Sequence, residues 1–153
     1  MSGPRTTTES LNPASADLDT MSALEIVTLM NREDAMVPEA IRPALPEIAA
    51  FVEGVAERLR VGGRLFYAGA GTSGRLAVLD AVECVPTFSV SPELVVPILA
   101  GGVAALTRSV EGAEDDPEMA RRDVAEAGVG AGDAFVGIAA SGSTPYAISA
   151  ITE

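Results

Sequence analysis

A glycine-rich run with two hydroxyl groups is the first stretch of this sequence that could do chemistry. It reads Gly69-Ala70-Gly71-Thr72-Ser73-Gly74 and lies between a short apolar run and a helical pattern. The spacing G-x-G-x-x-G at a strand-to-helix turn is typical of dinucleotide-binding folds, in which an acid about 20 residues further on holds the ribose. Residues 87–91 contain no carboxylate, and the first one after them is Glu93. A dinucleotide-binding oxidoreductase is therefore the weaker interpretation of this loop.

A second hydroxyl-rich loop follows a later apolar run. Residues 134–140 are apolar, and Ser141-Gly142-Ser143-Thr144-Pro145 comes directly after them. Two such loops at the carboxyl ends of parallel strands form a pocket for a phosphate monoester, because backbone N–H groups and hydroxyls bind phosphate without Lys. The alternative is that Thr72 and Ser141 are ordinary helix N-caps, but two loops in the same topological position favour the phosphate site. The predicted phosphate-binding residues are Gly71, Thr72, Ser73, Ser141, Gly142, Ser143 and Thr144.

The residue types that the chain lacks exclude much catalytic chemistry. Its 153 residues include no His and one Cys, Cys84, and all ten Lys+Arg residues are Arg. Ser-His-Asp and Cys-His pairs, imidazole metal sites, Schiff-base lysines and P-loop lysines are therefore excluded. Acid–base work falls to Asp, Glu, Tyr or water, and no cofactor or metal is implied. Arg75, just after the glycine loop, either assists phosphate binding or forms a salt bridge at the start of the helix.

Two groups of acids are candidates for the acid–base work. Asp80 and Glu83 are three residues apart on the helix predicted after the glycine loop, and so they share one face of it. A second group precedes another predicted helix and consists of Glu111, Glu114, Asp115 and Asp116. From composition alone, the second group is interpreted as a solvated acidic cluster at a helix start.

Apolar runs and helical patterns predict the fold that positions these residues. Residues 15–30 and 41–59 repeat apolar side chains at helical spacing, and the first of these stretches starts with a capping residue, Ser15. Pro43 and Pro46 are expected to kink or split the second helix near its start. Three apolar runs, residues 64–68, 94–100 and 134–140, then alternate with helical stretches. This pattern predicts an α/β fold with a doubly wound parallel sheet flanked by helices and preceded by N-terminal helices. Pro97 is awkward for a central strand, and residues 87–90 are a candidate for a further short strand.

Charge and hydropathy restrict the partners. A net charge of −12 argues against nucleic acid or an anionic membrane, because both need clustered cations. No apolar run has the length of a membrane span, and the first residues are too polar for a signal peptide, so we expect a soluble, cytoplasmic protein. The last helix ends without a cap, and three strands would leave an apolar edge uncovered. We therefore expect the fold to be incomplete at its C-terminus.

Several longer runs are specific enough to suggest a family. They are Gly69-Ala-Gly-Thr-Ser-Gly-Arg-Leu76, Leu79-Asp-Ala-Val-Glu83-Cys-Val-Pro-Thr87, Ala100-Gly-Gly102, Val110-Glu-Gly-Ala-Glu114-Asp115, and Gly137-Ile-Ala-Ala-Ser-Gly142 with Thr144-Pro-Tyr146. Together with Thr8-Glu9, Asn12 and Ser15 near the start, they resemble the N-acetylmuramic acid 6-phosphate etherases, a branch of the sugar isomerase (SIS) domain superfamily. Ser143 stands where some members have Arg. The resemblance runs from about Thr8 to the last residue and covers the N-terminal part of such enzymes.

The resemblance implies a SIS-type, flavodoxin-like fold and a specific reaction. Residues 1–50 would be an N-terminal arm with helices, and residues 51–153 the N-terminal part of a sugar-phosphate-binding SIS domain. These enzymes cleave the D-lactyl ether of N-acetylmuramic acid 6-phosphate, giving N-acetylglucosamine 6-phosphate and D-lactate in cell-wall recycling. The resemblance also implies a homodimer with sites near its interface, and it leads us to expect no activity from the 153-residue chain alone.

By motif position, the resemblance makes Glu83 and Glu114 the acid–base pair. Glu83 would protonate the departing lactate oxygen, and Glu114 would move the proton at C2 of the sugar. A carboxylic acid that is protonated near neutral pH needs a raised pKa, which burial beside a second carboxylate would provide. A rival interpretation is a non-catalytic SIS-domain sugar-phosphate sensor that regulates a sugar kinase, since a sensor could use both acids to hold sugar hydroxyls. The presence of both acids favours the enzyme.

Overall fold

The computed structural model describes Thr8 and residues 10–153, and Glu9 of the N-terminal motif lies outside these residues. The strands are β1 (Leu65–Gly69), β2 (Val95–Leu99) and β3 (Ala134–Ile138). The helices are α1 (Ala23–Asp34), α2 (Val37–Ile41), α3 (Leu45–Arg60), α4 (Gly71–Phe88), α5 (Pro117–Ala127) and α6 (Pro145–Thr152). The chain divides into two compact units between Glu53 and Gly54, and each is described by itself.

The first unit starts its α-helix later than the sequence pattern suggested. The helix predicted over residues 15–30 is preceded by two 3-10 turns, Pro13–Ser15 and Leu18–Thr20, and α1 begins only at Ala23. Ser15 is not its cap, because the Ser15 hydroxyl donates to the carbonyl of Asn12 at 2.9 Å. Ser22 is the cap: its Oγ accepts from the Glu25 N–H, and the Glu25 carboxylate accepts from the Ser22 N–H at 2.7 Å. This reciprocal capping box sets the helix start.

The split predicted in the second helical stretch is present. A 3-10 turn, Arg42–Ala44, separates α2 from α3 and contains Pro43. Pro46 is the second residue of α3, where its missing N–H removes no helical hydrogen bond. Beyond α3, Gly62 has a φ of +91°, a conformation that glycine adopts without strain, and the chain turns there into β1.

The second unit contains a parallel sheet with the strand order β2-β1-β3. Leu65 of β1 is in register with Val95 of β2 on one side and with Ala134 of β3 on the other. Pro97 lies in β2, which has β1 as its neighbour on one side and no neighbour on the other within the described residues. An edge strand tolerates the missing N–H of proline.

The further strand proposed at residues 87–90 does not form. α4 continues through Pro86 to Phe88, and Ser89 ends it in the left-handed conformation with a φ of 55°. Residues 87–90 alternate polar and apolar side chains, but four residues are too few to distinguish a strand from the end of a helix.

Both faces of the sheet are covered, which confirms the doubly wound α/β fold. On one face Phe66, Ala68 and Ile98 pack with Ala120 of α5 and Tyr146 of α6. The other face presents Leu65, Val95 and Ala134, which pack with Ala81 of α4 and with the last turns of α3. Burial on both faces explains the continuous apolar runs of the strands. None of the helices in the described part of the chain combines the length and hydropathy needed to span a membrane.

Candidate active site

A cleft of about 200 Å³ opens at the carboxyl end of the sheet. One wall is the start of α4, with Gly71, Thr72 and Arg75. The opposite wall is the segment that follows β2, including Glu111 and Glu114. The carboxyl ends of parallel strands are where doubly wound folds bind their ligands. The structure therefore brings three of the predicted site residues, Gly71, Thr72 and Glu114, to one cleft.

The glycine loop lets α4 start very close to the sheet. A Cβ on Gly74 would lie 2.4 Å from the backbone oxygen of Gly69, so only glycine fits there without movement. Gly71 has a φ of +54° and begins the helix. Ala70 is the N-cap and makes no side-chain capping bond, so Thr72 is not the N-cap that the alternative interpretation required. The first N–H groups of α4 therefore have no side-chain cap, and they lie at the end of the helix that lines the cleft, where a helix attracts anions.

The loop after β3 has a similar arrangement. Gly142 has a φ of +65°, and the Ser143 N–H donates to Ser141 Oγ at 3.1 Å. The N-cap of α6 is Thr144, whose side chain makes no capping bond, so Ser141 is not an N-cap either. The ordinary-cap interpretation is therefore wrong for both loops.

The two hydroxyl loops start beside each other. Gly69 at the end of β1 is in register with Ile138 at the end of β3, and the strand order reverses at this point, because β2 lies on the other side of β1. Such a reversal is the usual ligand position in doubly wound sheets. Ser73 and residues 141–144 do not line the cleft that holds Glu114. Ser73 follows Thr72 in the first turn of α4, and residues 141–144 form the neighbouring loop at the same end of the sheet. Their assignment to phosphate binding stays a prediction.

Glu114 lies in a short 3-10 turn, Ala113–Asp115, on the far wall of the cleft. Gly112 precedes it with a φ of +74°, which turns the chain sharply at this point. Ala113 is buried and anchors the turn, whereas Glu114 is exposed at the cleft. The acidic group that the composition assigned to solvent thus contributes two carboxylates, Glu111 and Glu114, to the cleft that also holds the start of α4.

Glu83 is far from this cleft within the same chain. It lies on α4, twelve residues after Gly71, which is about 18 Å along a helix that rises about 1.5 Å per residue. Glu83 is exposed, as is Glu114. The burial of one carboxylate beside the other, expected from the sequence, is therefore absent from the described chain.

Arg75 is bonded to backbone rather than to an acid. Its Nε donates to the carbonyl of Ala105 at 2.8 Å, and its Nη2 donates to the carbonyl of Arg108 at 3.1 Å. The salt bridge considered from the sequence is not among the ion pairs of the described residues. Nothing in the sequence pointed to these two carbonyl partners, because they lie 30 and 33 residues away.

Asp80 and Cys84 belong to a separate group on the sheet side of α4. Burial, with a hydrogen bond from the Tyr67 hydroxyl to Asp80, raises the pKa of Tyr67 to about 12. Burial first, and then the charge of Asp80, raises the pKa of Cys84. A phenol and a thiol with raised pKa values stay protonated near neutral pH, so neither is a suitable base or nucleophile.

The described residues around the cleft lack the usual protein ligands of a dinucleotide and of a metal ion. The first strand after the glycine loop is β2, and it is followed by Ala100-Gly101-Gly102, without the carboxylate that would hold a ribose. Among Thr8 and residues 10–153, no three side chains of the His, Cys, Asp or Glu type are grouped so as to hold a metal ion.

The family comparison matches the part of the chain that contains the candidate site. A family described as the glucokinase regulatory protein N-terminal SIS domain matches residues 47–153, which contain the cleft and both hydroxyl loops. The chain belongs to this family. The match confirms the SIS-type fold predicted from the sequence, since the sheet, its flanking helices and the two loops lie within the matched residues.

Curated relatives match nearly the whole chain. The N-acetylmuramic acid 6-phosphate etherase of Rhodopirellula baltica is 55% identical over 95% of this chain and 48% of its own length. Etherases of Streptomyces avermitilis and Enterococcus faecalis are each 54% identical over 95% of the chain. The chain spans about half the length of the curated relatives it matches.

Proposed function

We propose that the chain carries the sugar-phosphate site of an N-acetylmuramic acid 6-phosphate etherase. The observation that supports it best is the position of Glu114, which opens onto the same cleft as the uncapped start of α4 in a sequence 55% identical to a curated etherase. The reaction is an elimination followed by a hydration. It needs a base, an acid and an anchor for phosphate, and none of these requires His, Lys, a metal or a nucleotide.

The elimination starts from the open-chain form of the sugar. Its C2 proton is acidic because the neighbouring C1 is an aldehyde, and a base removes this proton. The C2–H electron pair forms a C2=C3 double bond, the bond from C3 to the ether oxygen breaks, and D-lactate leaves with that oxygen after taking a proton from an acid. Water then adds its oxygen to C3, and C2 regains a proton. The net reaction consumes one water and changes no oxidation state.

In this proposal the loops hold the phosphate and a glutamate on the cleft wall does the first proton transfer. Gly71, Thr72 and Ser73 with residues 141–144 would supply backbone N–H and hydroxyl donors at the sheet edge where the strand order reverses. Such donors would bind the phosphate locally, although a chain with a net charge of −12 repels anions at long range. Glu114, across the cleft from Thr72, would be the base at C2.

The position of Glu83 supports a site shared by two copies of the protein. It is about 18 Å along α4 from the helix start, too far for one carboxylate to act on the same sugar as Glu114 of its own chain. A homodimer that brings Glu83 of one copy to the cleft of the other would place both acids beside the same substrate. It would also bury the two carboxylates together, which raises the pKa of the one that must donate a proton. Closed two-fold dimers are the commonest homo-oligomers, and they form two identical shared sites.

The names of the curated relatives favour this enzyme over the sugar-phosphate sensor considered from the sequence. A substrate that carries a phosphate is retained within the cell, so the cytoplasmic location predicted from the sequence is part of the same proposal.

Incubation of N-acetylmuramic acid 6-phosphate with the protein, expressed from its complete reading frame, tests the proposed reaction. D-lactate is measured with a coupled D-lactate dehydrogenase, in parallel reactions in D₂O and in H₂¹⁸O. We expect deuterium at C2 and ¹⁸O at C3 of the N-acetylglucosamine 6-phosphate, and no ¹⁸O in the lactate. Binding of the sugar phosphate without release of lactate would instead support the sensor, and ¹⁸O in the lactate would show cleavage on the other side of the ether oxygen.

A further inference from the structure

We propose that Arg75 is a positioning residue, which holds Glu114 in the cleft by fixing the backbone of the segment between β2 and α5. The role of Glu114 rests on the proposed function, whereas the fixed segment rests on the hydrogen bonds of Arg75 alone. Arg75 itself is not assigned a part in the proton transfers.

The segment between β2 and α5 has little regular structure to hold it in place. It contains two short 3-10 turns, Gly102–Leu106 and Ala113–Asp115, and three glycines with positive φ at positions 101, 102 and 112. Its buried anchors are the small side chains of Ala100, Ala105 and Ala113. In the described part of the chain, Arg75 is the residue of another element whose side chain donates hydrogen bonds into this segment. At the end of the segment, the Asp116 carboxylate accepts from the Met119 N–H of α5.

The geometry of the bonds requires an arginine. The Nε and Nη2 groups of one planar guanidinium donate to two carbonyls three residues apart, those of Ala105 and Arg108. A lysine has a single ammonium group on a flexible stem and cannot reproduce this fixed fork. Arg75 lies on the first turns of α4, so the fork joins the segment directly to the helix start that forms the other wall of the cleft.

The clamped carbonyls come just before the residues that line the cleft. Residues 109–114 follow Arg108 and end in Glu114. Val110 also contacts Gly101, where an added Cβ would be 3.1 Å from the valine Cβ, so the segment closes back on its own start. A displacement of a catalytic group by about 1 Å costs up to about 100-fold in rate. Loss of the clamp should therefore lower kcat more than it raises KM, because the clamp fixes the segment that carries Glu114, whereas the proposed phosphate donors lie on the loops after β1 and β3.

The test compares Arg75→Lys and Arg75→Gln with a matched control, Arg108→Gln. Arg108 lies in the clamped segment and has the same charge, but it takes part in the clamp through its carbonyl only, and its side chain is exposed. Amide hydrogen exchange is measured on the protein from its complete reading frame. Both Arg75 variants should speed the exchange of residues 106–114 by about 10-fold or more, with α6 and β1 unchanged, and the control should leave the pattern as in wild type. Equal exchange of residues 106–114 in wild type and Arg75→Lys would overturn the clamp.

A double-mutant cycle tests whether the clamp acts through Glu114. We expect Arg75→Lys to lower kcat for lactate release by about 10- to 100-fold in wild type, and by less than about threefold in a Glu114→Asp background, where the carboxylate is already displaced. Equal losses in both backgrounds would overturn the positioning role. A wild-type protein that releases no lactate would overturn the proposed function, and the hydrogen-exchange result would still decide whether Arg75 fixes the segment.

Discussion

Asp133 is the residue whose replacement tests the packing of the sheet most sharply. Its carboxylate accepts hydrogen bonds from the backbone N–H of Arg64 at 2.8 Å, from Nη2 of Arg64 at 2.9 Å and from the N–H of Gly130 at 2.9 Å. Only 7% of the side chain is exposed. These bonds join the amino ends of β1 and β3, at the end of the sheet opposite the cleft. Asp133→Asn keeps the size of the side chain, removes its charge and turns an NH₂ group toward one of the donors.

The expected loss follows from these contacts. At least one charge-assisted hydrogen bond is lost, and such bonds contribute about 1.5–3 kcal/mol each. Arg64 is 36% exposed, so water screens its unpaired charge, and the roughly 3–5 kcal/mol of a fully buried broken pair does not apply. We therefore expect the free energy of unfolding to fall by about 2–3 kcal/mol near pH 7.

The same bonds predict how this loss depends on pH. The hydrogen bond from the Arg64 guanidinium, helped by the two backbone N–H groups, lowers the pKa of Asp133 below its ordinary value. A group with a lowered pKa in the folded state stabilises the fold above its unfolded pKa, here about 3.9, and loses this stabilisation as the pH falls through the lower folded value. The difference between wild type and Asp133→Asn should therefore be full at pH 6–7 and shrink below about pH 4.

Urea denaturation at a series of pH values measures this difference. Glu118→Gln is the matched control, because it also turns an acid that pairs with an arginine into an amide, but on an exposed helix face. Exposed pairs contribute about 0.2–1 kcal/mol. Equal losses in the two variants, or a loss for Asp133→Asn that does not change between pH 7 and pH 3.5, would refute the reasoning.

Three further substitutions, with one control, test the glycine loop and the hydroxyls. Gly74→Ala places a Cβ 2.4 Å from the carbonyl oxygen of Gly69, so we expect a loss of about 1–3 kcal/mol by thermal denaturation. Gly54→Ala, in a helix interior with no atom within 4 Å of the added Cβ, should be neutral or stabilising, and an equal fall in Tm for both variants would contradict the close approach of α4. Ser73→Ala and Ser141→Ala should each reduce the preference for the phosphorylated sugar over its unphosphorylated form by about 10- to 100-fold, the worth of a charge-assisted hydrogen bond; an unchanged preference would remove that serine from the phosphate site.

The sheet was predictable from the sequence because its signals are local. Each strand is an apolar run with packing partners on both faces of the sheet, and the three runs are closed by Gly69, by Gly101-Gly102 and by Ser141-Gly142. The start of α1 was missed because Ser15 and Ser22 are both good capping residues, and only the reciprocal bond with Glu25 distinguishes them. The end of α4 was missed because residues 87–90 were a candidate for a short strand, although the helix continues through Pro86 to Phe88.

The candidate site was predictable only in part, because its residues meet through the topology of the chain. The position of the two hydroxyl loops follows from strand ends that the sequence marks clearly. The distance between Glu83 and the cleft depends on the length and direction of α4, and the partners of Arg75 lie on a segment without a periodic pattern. Neither can be read from residue types and spacing.

The most direct test of the proposed etherase is release of D-lactate by two inactive variants, separately and mixed. Glu83→Gln and Glu114→Gln should each lose at least about 100-fold in rate, since each lacks one positioned acid or base. After subunit exchange of equal amounts, half of the dimers contain one copy of each variant, and one of the two sites in such a dimer has both native glutamates. The mixture should then recover about a quarter of the wild-type rate. A mixture that forms mixed dimers and stays inactive would contradict the shared site, and a wild-type protein that releases no lactate would contradict the etherase itself.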